Sequence, residues 1–158
     1  MFAGSRLVMR FALVATLASL YTGRAVAQEI NPNLPPTYGS VTLKVGFPQD
    51  PVTKQVIAGG LNKTNLGGVN AWVAKAPDFQ LNYTAGSLPL TIRVESPSDT
   101  TLLINLPDGT WMADDDSGGN LNPFLRLPRP QSGRYDIYVG TVAPNTNPKA
   151  TLFISELK

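Results

Sequence analysis

Neither cysteine nor histidine occurs anywhere in this sequence. Their absence removes Ser-His-Asp and Cys-His nucleophilic systems, imidazole acid–base catalysis and thiolate chemistry. It also removes the ordinary zinc, copper and iron sites, which need imidazole or thiolate ligands. Disulfides are excluded, so the fold must be stable without cross-links. No GxxxxGK[ST] and no GxGxxG follows a strand pattern, so no nucleotide fingerprint is present. Glutamate is scarce, with only Glu29, Glu95 and Glu156. A carboxylate-pair glycosidase needs two acids held about 5–9 Å apart across a sugar. Asp99, Asp108, Asp116 and Asp136 are the remaining candidates for such a pair, and nothing in their spacing demands it. The expectation is a protein that is not an enzyme.

Long apolar runs are also missing beyond the N-terminus. Arg6 and Arg10 flank a short apolar stretch, Phe11 to Leu20, and Ala25-Val26-Ala27 follows with a small-x-small pattern. Ten helical residues rise about 15 Å, half a bilayer core, so this is no membrane span. Residues 1–27 read as a cleaved signal peptide, and the expected location is the bacterial periplasm or the extracellular space. Three of the 13 basic residues (Arg6, Arg10, Arg24) precede Gln28, leaving 10 against 11 acids, a net charge of −1. The basic footprint of a nucleic-acid binder is therefore absent, and no membrane span is expected in the mature chain.

What is present is period-two alternation. Residues 28–39 (QEINPNLPPTYG) hold three prolines and no hydrophobic period, and read as a flexible leader. Thereafter Val41, Leu43, Val45 and Phe47 alternate with polar residues or glycine. So do Leu88, Leu90, Ile92 and Val94, then Tyr135, Ile137 and Val139, with Leu152 and Ile154 closing the pattern. Weaker strand candidates lie at 53–58, 70–75, 78–84, 100–106, 110–113 and 123–127. Pro107-Asp108-Gly109 predicts a hairpin joining Thr101–Leu106 to Thr110–Ala113, because proline presets the first turn position and glycine accepts positive φ. Many short strands without a helical face predict an all-β fold: a single antiparallel β-sandwich, jelly-roll-like, over residues 40–158.

Asp114-Asp115-Asp116-Ser117-Gly118-Gly119-Asn120 is the one unusual constellation. Adjacent carboxylates repel, so the folded chain must either solvate them fully or bind a cation. Calcium suits such a site, since it takes six to eight oxygen ligands. The candidate ligands are Asp114, Asp115, Asp116 and Asn120, with Asp99 and Asp108 added if their loops share that end. The contiguous acids do not fit an EF-hand, and a solvated polar loop is the competing reading. Trp111 and Tyr138 are the aromatics expected to be partly exposed, and form a candidate ligand surface for a glycan or protein partner. Core packing is the alternative for both. Asn62-Lys63-Thr64 and Asn82-Tyr83-Thr84 match the glycosylation sequon, which matters only in a eukaryotic secretory pathway.

Two segments carry a family resemblance. The first runs Ser98-Asp99-Thr100-Thr101-Leu102-Leu103-Ile104, Pro107-Asp108-Gly109-Thr110-Trp111 and Asp114-Asp115-Asp116; the second is Gly133-Arg134-Tyr135-Asp136-Ile137-Tyr138-Val139-Gly140. Their order resembles the bacterial pre-peptidase C-terminal (PPC) domain family over residues 86–157. The resemblance implies a jelly-roll-like exported accessory domain, here a small stand-alone member. It also implies calcium at Asp114, Asp115 and Asp116, with Asp99 and Asp108 as weaker candidates. No peptidase domain accompanies it in this sequence. The expected role is a non-catalytic binding or accessory domain, with a carbohydrate-binding module as the alternative.

Overall fold

The computed structural model describes residues 29–157, so the segment read as a signal peptide lies outside the described residues. The described chain is an all-β sandwich. Its strands are β1 (Ser40–Lys44), β2 (Val52–Ile57), β3 (Asn62–Thr64), β4 (Ala71–Val73), β5 (Phe79–Thr84), β6 (Leu90–Glu95), β7 (Thr100–Asn105), β8 (Trp111–Asp114), β9 (Phe124–Leu127), β10 (Gly133–Thr141) and β11 (Lys149–Ser155). A 3-10 turn over Leu66–Gly68 is the one helical element among the described residues.

The larger sheet is organised by β10, whose nine residues are long enough to serve several neighbours. It pairs with β5 through residues 133–137 and with β7 through 136–141, while Thr141 meets Trp72 of β4. Beyond these lie β1 on β5, β8 on β7 and β3 on β4. The second sheet has the order β2-β11-β6-β9.

Alternation places one face of each sheet on the shared core. Phe79, Leu81 and Tyr83 of β5, Tyr135, Ile137 and Val139 of β10, and Leu102 and Ile104 of β7 face Ile92, Val94, Leu152 and Ile154 of the other sheet. Each fully buried aliphatic side chain of this kind contributes ~1.5–3 kcal/mol. The Pro-Asp-Gly hairpin forms as the sequence predicts, with Asn105 opposite Trp111 and Leu102 opposite Asp114.

Three features depart from expectation. The sandwich is not wholly antiparallel, because β1 runs parallel to β5, with Ser40 opposite Gln80 and Lys44 opposite Thr84. No hairpin links these two strands, so no local turn sets their direction. Leu88 lies outside its expected strand and is exposed; β6 begins at Leu90, after Pro89, which has no N–H for a ladder. Residues 29–39, expected as a flexible leader, are held to the body. The N–H groups of Asn31, Thr37 and Tyr38 donate to the carbonyls of Lys75, Pro77 and Asp78 at 2.8–2.9 Å, and Ile30 packs onto the larger sheet.

That packing creates a second, smaller apolar cluster on the outer face of the larger sheet. Ala71, Val73, Leu103 and Tyr138 form its buried centre; Ile30, Leu66, Trp111 and Ala113 cover it. Two glycines permit the close approach. A Cβ on Gly67 (φ 69°) would stand 2.7 Å from that of Ala113, and one on Gly140 would stand 2.8 Å from the Trp72 carbonyl oxygen.

Candidate functional site

Asp114 ends β8, and the loop that follows closes on it. Its Oδ1 accepts from the Ser117 hydroxyl at 2.5 Å; its Oδ2 accepts from the N–H groups of Ser117 at 3.0 Å and Phe124 at 2.9 Å. Main-chain bonds from Gly118 to Asn122, Gly119 to Asp116 and Asn122 to Gly119 complete the turn. Asn120 and Leu121 take positive φ there, and the Asn120 carbonyl accepts from the Asn122 side chain. Asp114 is thus a loop organiser whose oxygens are already engaged.

The other acids divide. Burial pushes the Asp99 carboxyl above the usual range, and the negative charges of Asp116 and Asp115 push it further. These three therefore sense one another electrostatically. Asp108 does not join them, because it caps the opposite end of the β7–β8 hairpin. There its Oδ1 accepts from the Thr110 N–H and hydroxyl, and its Oδ2 from Gln131. The Thr110 bonds lead in holding its carboxyl below the ordinary carboxylate range. The expected convergence of Asp99 and Asp108 on one end is thus half corrected: three residues of strand, about 10 Å, separate Trp111 beside the turn from Asp114. Among the described residues, no three acidic side chains approach closely enough to ligate one ion.

Tyr138 does not belong to any surface. It lies on the face opposite Tyr135 and Ile137, as alternation requires, yet it is fully buried. The reason is the covering layer: Trp111 leans on it with ring centroids 5.6 Å apart and planes at 44°, and Ile30 and Leu66 close the remainder. Its hydroxyl has no hydrogen-bond partner among the described residues, and burial, followed by the charges of Asp136 and Asp78, pushes its pKa up.

Trp111 itself is half-buried and opens on a groove of about 740 Å³. Ile30, Asn62, Lys63, Leu66 and Asn105 share its walls. Asn62 is 7% exposed; its Nδ2 donates to the Val73 carbonyl at 3.1 Å, while its Oδ1 is buried without a partner among the described residues. The Asn105 amide nitrogen donates to the Gly109 carbonyl at 3.0 Å. Asn105 and Gly109 also line an adjoining hollow of about 370 Å³ that holds Arg134 and Asp136. Arg134 bonds Asp136 through Nε at 2.9 Å and Asn33 through Nη2 at 3.0 Å, so it pins the N-terminal segment beside the groove.

Sequence reasoning found Trp111 but missed Asn62, Asn105 and Ile30. Strand β3 has three residues, too few to show alternation, and Ile30 stands isolated among prolines and asparagines. Lone residues of these types carry no periodic signal.

No family model matches the chain, and no curated protein is similar to it in sequence. Among solved structures, the chain is similar to PliG of Aeromonas hydrophila, a periplasmic inhibitor of g-type lysozyme. The TM-score is 0.42 at 15% identity, over 74% of this chain and 96% of that one. Among the described residues, no helix is long and apolar enough to cross a membrane.

Proposed function

We propose that this chain is an exported, non-catalytic binding domain whose partner sits on the outer-face groove at Trp111. One observation carries the reading: a half-buried tryptophan, backed by the buried Tyr138, opens on a groove of about 740 Å³. That volume falls within the ~300–1,000 Å³ typical of ligand sites, and the mixture of apolar wall and a few polar groups is also typical. The lack of histidine and cysteine supports a binding role over a catalytic one, as does the engagement of Asp108, Asp114 and Asp136 in structural bonds. The N-terminal pattern of Arg6, Arg10 and Ala25-Val26-Ala27 supports export.

The test is hydrogen exchange on residues 28–158 mixed with native cell-envelope fractions. Protection over residues 62–66 and 105–111, lost in Trp111→Ala, is the expected result. Protection confined to the acidic loop overturns the assignment of the groove.

Calcium at the other end is a second reading, supported by the negative field of Asp115 and Asp116 on Asp99; with no three acids close enough to ligate one ion, main-chain and amide oxygens would have to complete its shell. A calcium titration after chelation tests it. Saturable binding to the native state raises the melting midpoint by several degrees in a domain of this size; an unmoved midpoint removes the reading.

A further inference from the structure

We infer that the ligand of the Trp111 groove is a neutral oligosaccharide, an inference that rests on the groove being the binding surface. A sugar ring has an apolar C–H face and a rim of hydroxyls that both donate and accept. The groove offers the complement of each. Trp111 has one side committed to Tyr138, which holds the indole in place and leaves the rest of it to the groove. A rigid aromatic supplies contact area at little cost in conformational entropy.

The polar wall is amide and hydroxyl in character, made by Asn62, Lys63, Thr64 and Asn105. The Asn105 amide is fixed in place, its nitrogen donating to the Gly109 and Thr110 carbonyls. Polar groups already held by the fold meet ligand hydroxyls with little further ordering. The neighbouring Lys63 ammonium supplies a donor for sugar oxygens.

Charge selects against ionic ligands. Glu29 and Lys63 stand on the same groove and oppose each other, and in the adjoining hollow Arg134 is paired with Asp136. A phosphorylated or nucleic-acid ligand would meet no net positive field. The hollow extends the surface past Asn105 and Gly109, so a chain of several sugar units fits better than a single one. A protein partner is the weaker match. The apolar wall amounts to Ile30, Pro32, Leu66 and Trp111, well short of the ~800 Å² per side that stable protein complexes cover.

The experiment uses residues 28–158 with Trp72→Phe, so that Trp111 is the sole indole. Cellotetraose, maltotetraose and N-acetylchitotetraose are titrated to roughly 10 mM, enough to fill even millimolar sites. At least one probe shifts the Trp111 emission saturably, and Lys63→Ala, which alters an exposed side chain and leaves the fold intact, weakens that probe. Trp111→Ala, which removes the indole and is therefore followed by titration calorimetry, weakens it roughly tenfold or more, the scale set by loss of an aromatic stacking contact. The inference is overturned if none of the three probes shifts the emission, or if the affinity for the active probe survives both substitutions unchanged. Should the probes fail while envelope proteins still protect residues 62–66 and 105–111, the saccharide falls and the binding surface stands.

Discussion

The Tyr83 hydroxyl donates a 2.5 Å hydrogen bond to Glu156 Oε1, joining β5 of one sheet to the residue that follows β11 of the other. Glu156 is 5% exposed, and its second oxygen accepts from the Gly46 N–H at 2.8 Å. Its own N–H donates to Asp50 Oδ2 at 2.8 Å. Among the described residues, no cation pairs with Glu156. The buried carboxylate is held by two neutral donors, the Tyr83 hydroxyl and the Gly46 N–H, which meet it only when both sheets are in place. Tyr83→Phe removes one donor and leaves that oxygen buried and unpaired, so it should lower stability by about 2 kcal/mol. Urea denaturation of the two proteins measures the difference; a loss within error would mean that water replaces the hydroxyl.

Asp78 makes stability depend on pH. Burial raises its pKa to about 7, against the lowering effect of the bond from the Val139 N–H to Oδ2 at 2.7 Å. The folded state therefore holds a proton that the unfolded chain releases near its ordinary value of 3.8. The stability this contributes is complete below that value and is lost as pH rises toward about 7, a change of roughly 4 kcal/mol in scale. Asp78→Asn keeps an acceptor for Val139 and carries no charge. It should flatten the decline and be the more stable protein at neutral pH. Melting midpoints across this window decide the matter, and parallel curves for the two proteins would count against it.

Asp114 and Asp115 should respond differently to the same change. Asp114→Ala removes the acceptor for three loop bonds and should cost about 1–3 kcal/mol, with faster exchange at the Ser117 and Phe124 amides. Asp115→Ala breaks no such bond and relieves the repulsion on Asp99, so its effect should stay within about 0.5 kcal/mol. Equal losses in the two variants would contradict the assignment of Asp114 as the loop organiser.

Arg134 couples the N-terminal segment to the larger sheet. Arg134→Ala leaves the carboxylate of Asp136, only 1% exposed, with the Gln80 amide at 2.9 Å as its remaining partner. Removing one partner of a buried pair typically costs about 3–5 kcal/mol, and exposure of Arg134 itself brings this toward the lower end. The exchange readout is more specific: Asn31 and Thr37 amides should lose protection before the core strands do. Uniform loss across the sandwich would instead point to a general fold defect.

Much of the architecture was legible because it repeats locally. The alternation of Tyr135, Ile137 and Val139 assigns one face to the core, and Pro107-Asp108-Gly109 specifies its hairpin through proline and glycine backbone preferences. The acidic run was equally visible, but the choice of Asp114 over its neighbours was not. All three are alike in sequence, and only the return of Ser117 and Phe124 distinguishes them.

The sequence by itself determined the strand periods, the absence of imidazole and thiol chemistry, and the hairpin that carries Trp111. Tertiary structure alone decided the direction of β1, the burial of Tyr138 and the placement of Asp108 away from the acidic loop. The physical reason is one of range. Alternation tells which side of a strand a residue occupies, while what covers that side depends on segments such as Ile30 and Leu66, brought in from far along the chain.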